Sequence, residues 1–208
     1  NKQTLGDSHS SIVHKLEKES GAEVAVNFVS NYQFVINHCL KCRGHSVGIE
    51  DCIPIKKEKI KEEITKSFIE AVAIETSEND PDLRERKINN SLGGATSLGQ
   101  SIIKNELESD NALNMMVSSG SKGTYVNIAQ IRGLIGQQNV EGGRIKQTYG
   151  KRTLPHYSIM DKNILNQCDD EEELRQIYES RGFVSSSFMT GLTPQEFFFH
   201  SIIFSATF

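Results

Sequence analysis

The stretch 117–157, VSSGSKGTYVNIAQIRGLIGQQNVEGGRIKQTYGKRTLPHY, limits the fold more than any other part of the sequence. Seven of the sixteen glycines fall in it. Between the glycines stand apolar pieces such as IAQI and LI, each too short to build a core of its own. A loop-dominated region of this length inside a folded chain has to be braced by other elements, and such regions commonly carry ligand contacts.

The rest of the sequence supplies helices for that bracing. In SSIVHKLEKES, Ile12, Val13 and Leu16 form a short apolar stripe that ends at Gly21. The segment AEVAVNFVSNYQFVINHCLKCR follows, with apolar residues at 24, 28, 29, 32, 35, 36 and 40 before Gly44, and the two predict a helical hairpin turned at Gly21. An irregular turn, GHSVGIEDCIP, leads to Pro54. Residues 56–77 keep Ile60, Ile64, Phe68, Ile69 and Val72 at helical spacing among alternating charges, which predicts a long amphipathic helix. A polar helix is expected from Pro81, where Gly93, Gly94 and Gly99, at about 1 kcal/mol each in a helix interior, imply a break or very close packing. Residues 161–180 read as an acidic helix capped near Asp169 and lying on the surface, and RGFVSSSFMTG as short extended chain. In GLTPQEFFFH, Thr193 and Glu196 have the spacing of a capping box with Pro194 at the first helical position. Three aromatic rings follow within one turn, so that helix is expected to be buried or to bridge parts of a larger body. The fold class read from this pattern is mainly α: helical hairpins, a glycine-rich loop region with short strands, and the first turns of a long helix at the end.

A formal net charge of −4 gives no general attraction to nucleic acid, so phosphate contact requires a local basic cluster. Arg144, Lys146, Lys151 and Arg152, with Tyr149 among them and Tyr157 just beyond, form the one candidate patch. No 18-residue apolar run or secretory signal stands in the sequence, which argues against secretion or membrane insertion. The first residue is not Met, which fits a fragment. Cys39, Cys42, Cys52 and Cys168 are expected to be reduced thiols, at least partly buried. His38, Cys39, Cys42, His45 and Cys52 include zinc-ligand types, but the CxxC lies in an apolar helical pattern and has no second knuckle, so no zinc is expected.

Three segments could carry chemistry. SSGSKGT, 118–124, could cradle a phosphate with Lys122 as a point charge, although it lacks the GxxxxGK[ST] spacing and an ordinary helix-to-helix loop is the plain alternative. GQQNVEGGR, 136–144, is dense in amides and suits a loop held by polar contacts near a ligand path; the alternative is a solvated loop. His156 after Pro155 would need a nucleophile or carboxylate partner, and none stands near it in sequence. A free-standing nucleotide hydrolase would need a base and metal ligands in a spacing this chain does not offer.

SSGSKGTYVNIAQIRGLIGQQNVEGGRI, then KRTLPHY, RGFV and GLTPQEFFFH in that order, resembles the largest subunit of the multisubunit DNA-dependent RNA polymerases of eukaryotes, archaea and large DNA viruses. KQTLGDSHSSIVHKLEKESG and NYQFVINHCLKCRGHSVGIEDCI resemble it more loosely. The resemblance implies a middle slice of a longer subunit: a pore-like region at 1–53, a funnel-like hairpin at 54–120, a glycine-rich region at 121–190 with an insertion at 161–180, and the start of the bridge helix from 191. It implies that Lys122, Gln137, Gln138 and Arg144 lie along the nucleotide path. Lys151, Arg152 and His156 would line the channel, and Thr193, Pro194, Glu196 and His200 would open the bridge helix. The magnesium-binding aspartates of the family are not among these residues, so no catalytic residue and no metal ligand is expected in this chain, with Mg2+ held elsewhere in the assembled enzyme. Implied partners are the second-largest and other polymerase subunits, template DNA, RNA, nucleoside triphosphates and a transcript-cleavage factor. The implied location is intracellular: the nucleus, or host cytoplasm and virion if the source is viral. The length of 161–180 points to a divergent member, and SIIFSATF after His200 departs from the family pattern. The rival expectation is a standalone helical module that binds a transcription partner without catalysis.

Overall fold

The computed structural model describes residues 2–6, 9–54, 57–159 and 171–206. The chain divides into two compact units, one of Asn1–Asp51 with Leu107–Tyr125, the other of Cys52–Glu106 with Val126–Phe208.

In the first unit, α1 (Lys2–Leu5) precedes α2 (Ile12–Ser20) and α3 (Ala22–Arg43). Ser11 caps α2, its hydroxyl oxygen accepting from the His14 N–H at 3.2 Å. Gly21 joins the two helices at φ 89°, a conformation that strains any residue with a Cβ, so the turn falls where the sequence put its glycine. With nine residues against twenty-two, α2 reaches along only the first part of α3. Ala25 is the one buried residue of α3, while Phe34, Val35 and Leu40 stand in the open. Cys39 and Cys42 share that exposure instead of the shielding expected for them, and Cys52 is half-buried. After Gly44 the chain turns through a 3-10 segment (Glu50–Cys52). Asp51 organises this turn: its carboxylate accepts from the N–H of Gly48 at 2.8 Å and of Ala112 at 2.9 Å. Its carbonyl accepts from Asn111 Nδ2 at 3.2 Å. Asn111 then caps α6 (Ala112–Ser119), accepting from the Asn114 N–H at 3.0 Å.

The second unit is built on a hairpin of α4 (Lys57–Ser77) and α5 (Pro81–Glu106). Ile60, Ile64, Phe68 and Ala71 recur every three or four residues on α4, as do Ile88, Leu92, Ala95, Gly99 and Ile103 on α5, and all are buried. Ile69 lies one residue off this stripe and is exposed, so the expected apolar face is narrower than its sequence pattern. The three glycines do not break α5. Gly93 and Gly94 face open space, whereas a Cβ on Gly99 would run into Leu134 Cδ2, so one of the three marks close packing.

On the hairpin sit α7 (Tyr125–Arg132), β1 (Gly136–Gln137), β2 (Asn139–Val140), β3 (Gly143–Arg144), α8 (Glu171–Glu179), β4 (Phe183–Val184) and α9 (Pro194–Ala206). β1 pairs antiparallel with β4, Gly136 opposite Val184 and Gln137 opposite Phe183. β2 pairs antiparallel with β3, Asn139 opposite Arg144 and Val140 opposite Gly143. The surface position expected for 161–180 does not hold for its described part. α8 buries Leu174, Ile177 and Tyr178, and the Tyr178 ring stacks on Phe68 at 4.9 Å while Phe183 meets Phe68 edge-on at 5.0 Å. The acidic composition hid an apolar stripe at i, i+3, i+4. The cap near Asp169, and Cys168, lie outside the described residues.

Candidate functional site

The segment 136–144, read as a polar loop, is a tight hairpin. Glu141 and Gly142 turn the chain with φ of 54° and 81°, the two positive values that a two-residue turn of this hand requires. At its base Gly136 adopts φ 87° with its α-carbon against Thr96 of α5, leaving no room for a Cβ. Close approach and backbone conformation both demand glycine there.

The two amides that follow divide the work. Gln137 Nε2 donates to the carbonyls of Gln138 at 2.8 Å and Arg181 at 3.1 Å, tying the hairpin base to the turn before β4. Gln138 is buried, and its Nε2 donates to the Gly136 carbonyl at 3.0 Å. That fixes the amide so that Oε1 faces His200 Nδ1, 2.9 Å away on α9. Since Oε1 can only accept, Nδ1 carries the proton. Burial pushes the His200 pKa down, which keeps the ring neutral and this tautomer in place.

Arg144 closes the other end of the hairpin. Its side chain is 2% exposed and meets Glu85 of α5 through Nε at 2.7 Å and Nη2 at 2.8 Å, a bidentate pair. Arg181 reaches the same carboxylate at 3.1 and 3.2 Å and donates to the Ile145 carbonyl at 3.2 Å. Burial opposes the Glu85 charge, but the hydrogen bonds and charges of Arg144 and then Arg181 outweigh it and hold its pKa below the usual carboxylate value. Glu85 and Arg181 had no signal in the sequence: one is a glutamate in a polar helix, the other an arginine beside a glycine.

The basic cluster at 144–152 is therefore not one open patch. Arg144 is consumed by Glu85, and Lys146 pairs with Glu141 at 2.9 Å. Arg152 folds onto its own loop, donating to the Pro155 carbonyl at 2.8 Å and lying 5.6 Å from the Tyr149 ring. Lys151 is exposed, at φ 63°. His156 is exposed with its ring 4.4 Å from Tyr157. Tyr157 stacks on Phe199 at 6.3 Å, and burial, followed by the charges of Glu179 and Glu196, pushes its pKa up to about 12.

Helix α9 opens with the expected capping box. The Glu196 N–H donates to Thr193 Oγ1 at 3.2 Å, and Glu196 Oε2 accepts from the Thr193 N–H at 2.9 Å. Its other oxygen accepts from the Ser186 N–H at 3.1 Å, so the buried Glu196 also anchors the strand exit. Pro194 is the first helical residue. Of the aromatic turn, Phe199 is 1% exposed but Phe197 and Phe198 are 61% and 47% exposed, so all-round burial is not achieved within this chain.

Lys122 belongs to the first unit, in an exposed turn between Gly120 and Gly123, both at positive φ. Ser119 and Ser121 hold that turn by donating to the Met116 carbonyl, each at 3.0 Å. The Lys122 ammonium has no partner among the described residues. Among those residues no group of three or more His, Cys, Asp and Glu is placed to hold a metal ion, and no helix is long and apolar enough to cross a membrane.

Comparison with known proteins accounts for both units. The family described as RNA polymerase Rpb1, domain 4 matches residues 64–184, and RNA polymerase Rpb1, domain 3 matches residues 1–52. A probable DNA-directed RNA polymerase II subunit RPB1 homolog of Invertebrate iridescent virus 6 is 40% identical over 208 residues, covering 96% of this chain and 20% of the relative. These matches do not favour a standalone interaction module. With two consecutive domains of one subunit matched in order, the chain belongs to the Rpb1 family, the largest subunits of RNA polymerase.

Proposed function

We propose that this chain contributes the pore and funnel of a DNA-directed RNA polymerase, together with the first turns of its bridge helix, and so shapes the path by which nucleoside triphosphates reach the active centre. The observation that carries the reading is the Gln138 bridge: one amide holds the Gly136 carbonyl and His200 Nδ1 together, so the glycine-rich hairpin and the start of α9 move as one piece. A helix that must cross a cleft needs its first turns held in this way.

In this reading Lys122 meets the triphosphate as a mobile point charge, which suits a flexible ammonium better than a guanidinium. Arg144 and Arg181 brace the hairpin, Gln137 and Gln138 set its base, and Lys151, Arg152 and His156 stand along the channel. Among the described residues no group of three or more acidic, His or Cys side chains is placed to hold a metal ion. Nucleotidyl transfer would use Mg2+ bound by ligands outside this chain, and this chain would supply position and charge. Partners would be the second-largest and other subunits, template DNA, RNA and a transcript-cleavage factor. The location would be inside the cell, in the nucleus or, for a virus, in host cytoplasm and virions.

Tagged expression with the second-largest subunit from the same source tests the reading. A stable complex that carries DNA-templated RNA synthesis is expected, whereas a monodisperse chain that never enters such a complex would overturn it.

A further inference from the structure

Near its C-terminal end α3 carries His38 and Cys42 one helical turn apart, both exposed. His38 Nε2 lies 3.7 Å from Cys42 Sγ. The backbone beneath the pair is helical through Arg43, and the Gly44 N–H closes the last turn on the Leu40 carbonyl at 2.7 Å. An imidazole and a thiol, both ligand types for zinc-like ions, are thus presented side by side from a regular element.

Their separation matches a chelate. Metal bonds of about 2.0–2.1 Å to nitrogen and about 2.3 Å to sulfur, opened at the tetrahedral angle, set the two donor atoms about 3.6 Å apart. The same bonds drawn in line would need about 4.4 Å. A thiol–imidazole hydrogen bond is the plain alternative for this contact and recruits no ion. At a helix C-terminus the backbone carbonyls favour positive charge, so a cation suits the location. Lys41 and Arg43 share the last turn and oppose a dication, but a bound thiolate cancels one of its two charges. Among the described residues no third His, Cys, Asp or Glu completes the set, which leaves the remaining positions to exchangeable solvent ligands. Such a site is open, unlike the closed two-knuckle site that the sequence argues against.

We propose that His38 Nε2 and Cys42 Sγ chelate one thiophilic dication of the zinc class in tetrahedral geometry. Titration of the reduced 208-residue chain with Co2+, followed by Zn2+, tests this. A thiolate-to-cobalt charge-transfer absorption is expected that is displaced by Zn2+ and survives an excess of Mg2+, which prefers oxygen ligands. His38→Ala and Cys42→Ser, on exposed side chains that leave the core intact, are each expected to weaken Co2+ binding tenfold or more. Cys39→Ser and Cys52→Ser should leave it within about twofold, because neither thiol belongs to the pair. Absence of the charge-transfer band in the parent, unchanged affinity in His38→Ala or Cys42→Ser, or loss of binding in Cys39→Ser or Cys52→Ser would overturn the proposal. No arm of the experiment involves transcription, so its result bears on the His38 and Cys42 pair alone.

Discussion

Two glycine-bearing segments look alike in the sequence and differ in how they are held. Residues 118–124 are fixed by local bonds, Ser119 and Ser121 turning back to Met116. Residues 136–144 are fixed by partners 44, 59 and 62 positions away, through Gln137 to Arg181, Arg144 to Glu85, and Gln138 to His200. A turn held by its own neighbours can open without disturbing the core, while a hairpin held by distant elements opens only with them. The first segment leaves a lysine available, and the second locks its arginine away.

The largest effect should come from removing the carboxylate that two arginines share. Glu85→Ala leaves Arg144 buried without a partner and is expected to cost about 3 kcal/mol, the lower end for a broken buried pair because Glu85 is partly exposed. Denaturant unfolding measures it. Because its folded pKa lies below the ordinary value, the Glu85 contribution is complete above the usual carboxylate range and is lost as pH falls through it. Acid titration of the Glu85→Ala variant should therefore show a flatter stability profile than the parent.

Gly136→Ala combines positive φ with an overlap on Thr96 and should cost about 2 kcal/mol by thermal unfolding. Gln138→Leu removes the side-chain hydrogen bonds to the Gly136 carbonyl and to His200 Nδ1 from a buried position, for about 1–3 kcal/mol. Nitrogen NMR of the parent should show His200 neutral and protonated on Nδ1, and loss of that tautomer preference in Gln138→Leu would support the bridge. Lys122→Ala should change stability by no more than about 0.5 kcal/mol, since the side chain is exposed and has no hydrogen-bond or ion-pair partner among the described residues. A large loss there would erase the contrast between the two segments.

The helices were legible because their apolar residues recur at 3.6-residue spacing and their ends carry punctuation: Gly21, Gly44, Pro81, and the Thr193 and Glu196 box. Lys122 was legible as a cation among small residues. The clamp was not. Glu85 and Arg144 are 59 positions apart, and nothing local to either marks the pairing. The same limit misplaced α8, whose acidic face dominates its composition while Leu174, Ile177 and Tyr178 fill the core. Phe197 and Phe198, exposed in this chain, mark the complementary limit: periodicity shows that a face is apolar and cannot say what covers it.

The contrast between a free lysine and a locked arginine is tested most directly in an assembled polymerase carrying this chain, by elongation rate against nucleoside triphosphate concentration. Lys122→Glu is expected to raise the KM for nucleotide at unchanged thermal stability, and Arg144→Gln to lower thermal stability at unchanged KM. Normal elongation by Lys122→Glu, or a raised KM at full stability in Arg144→Gln, would contradict the account.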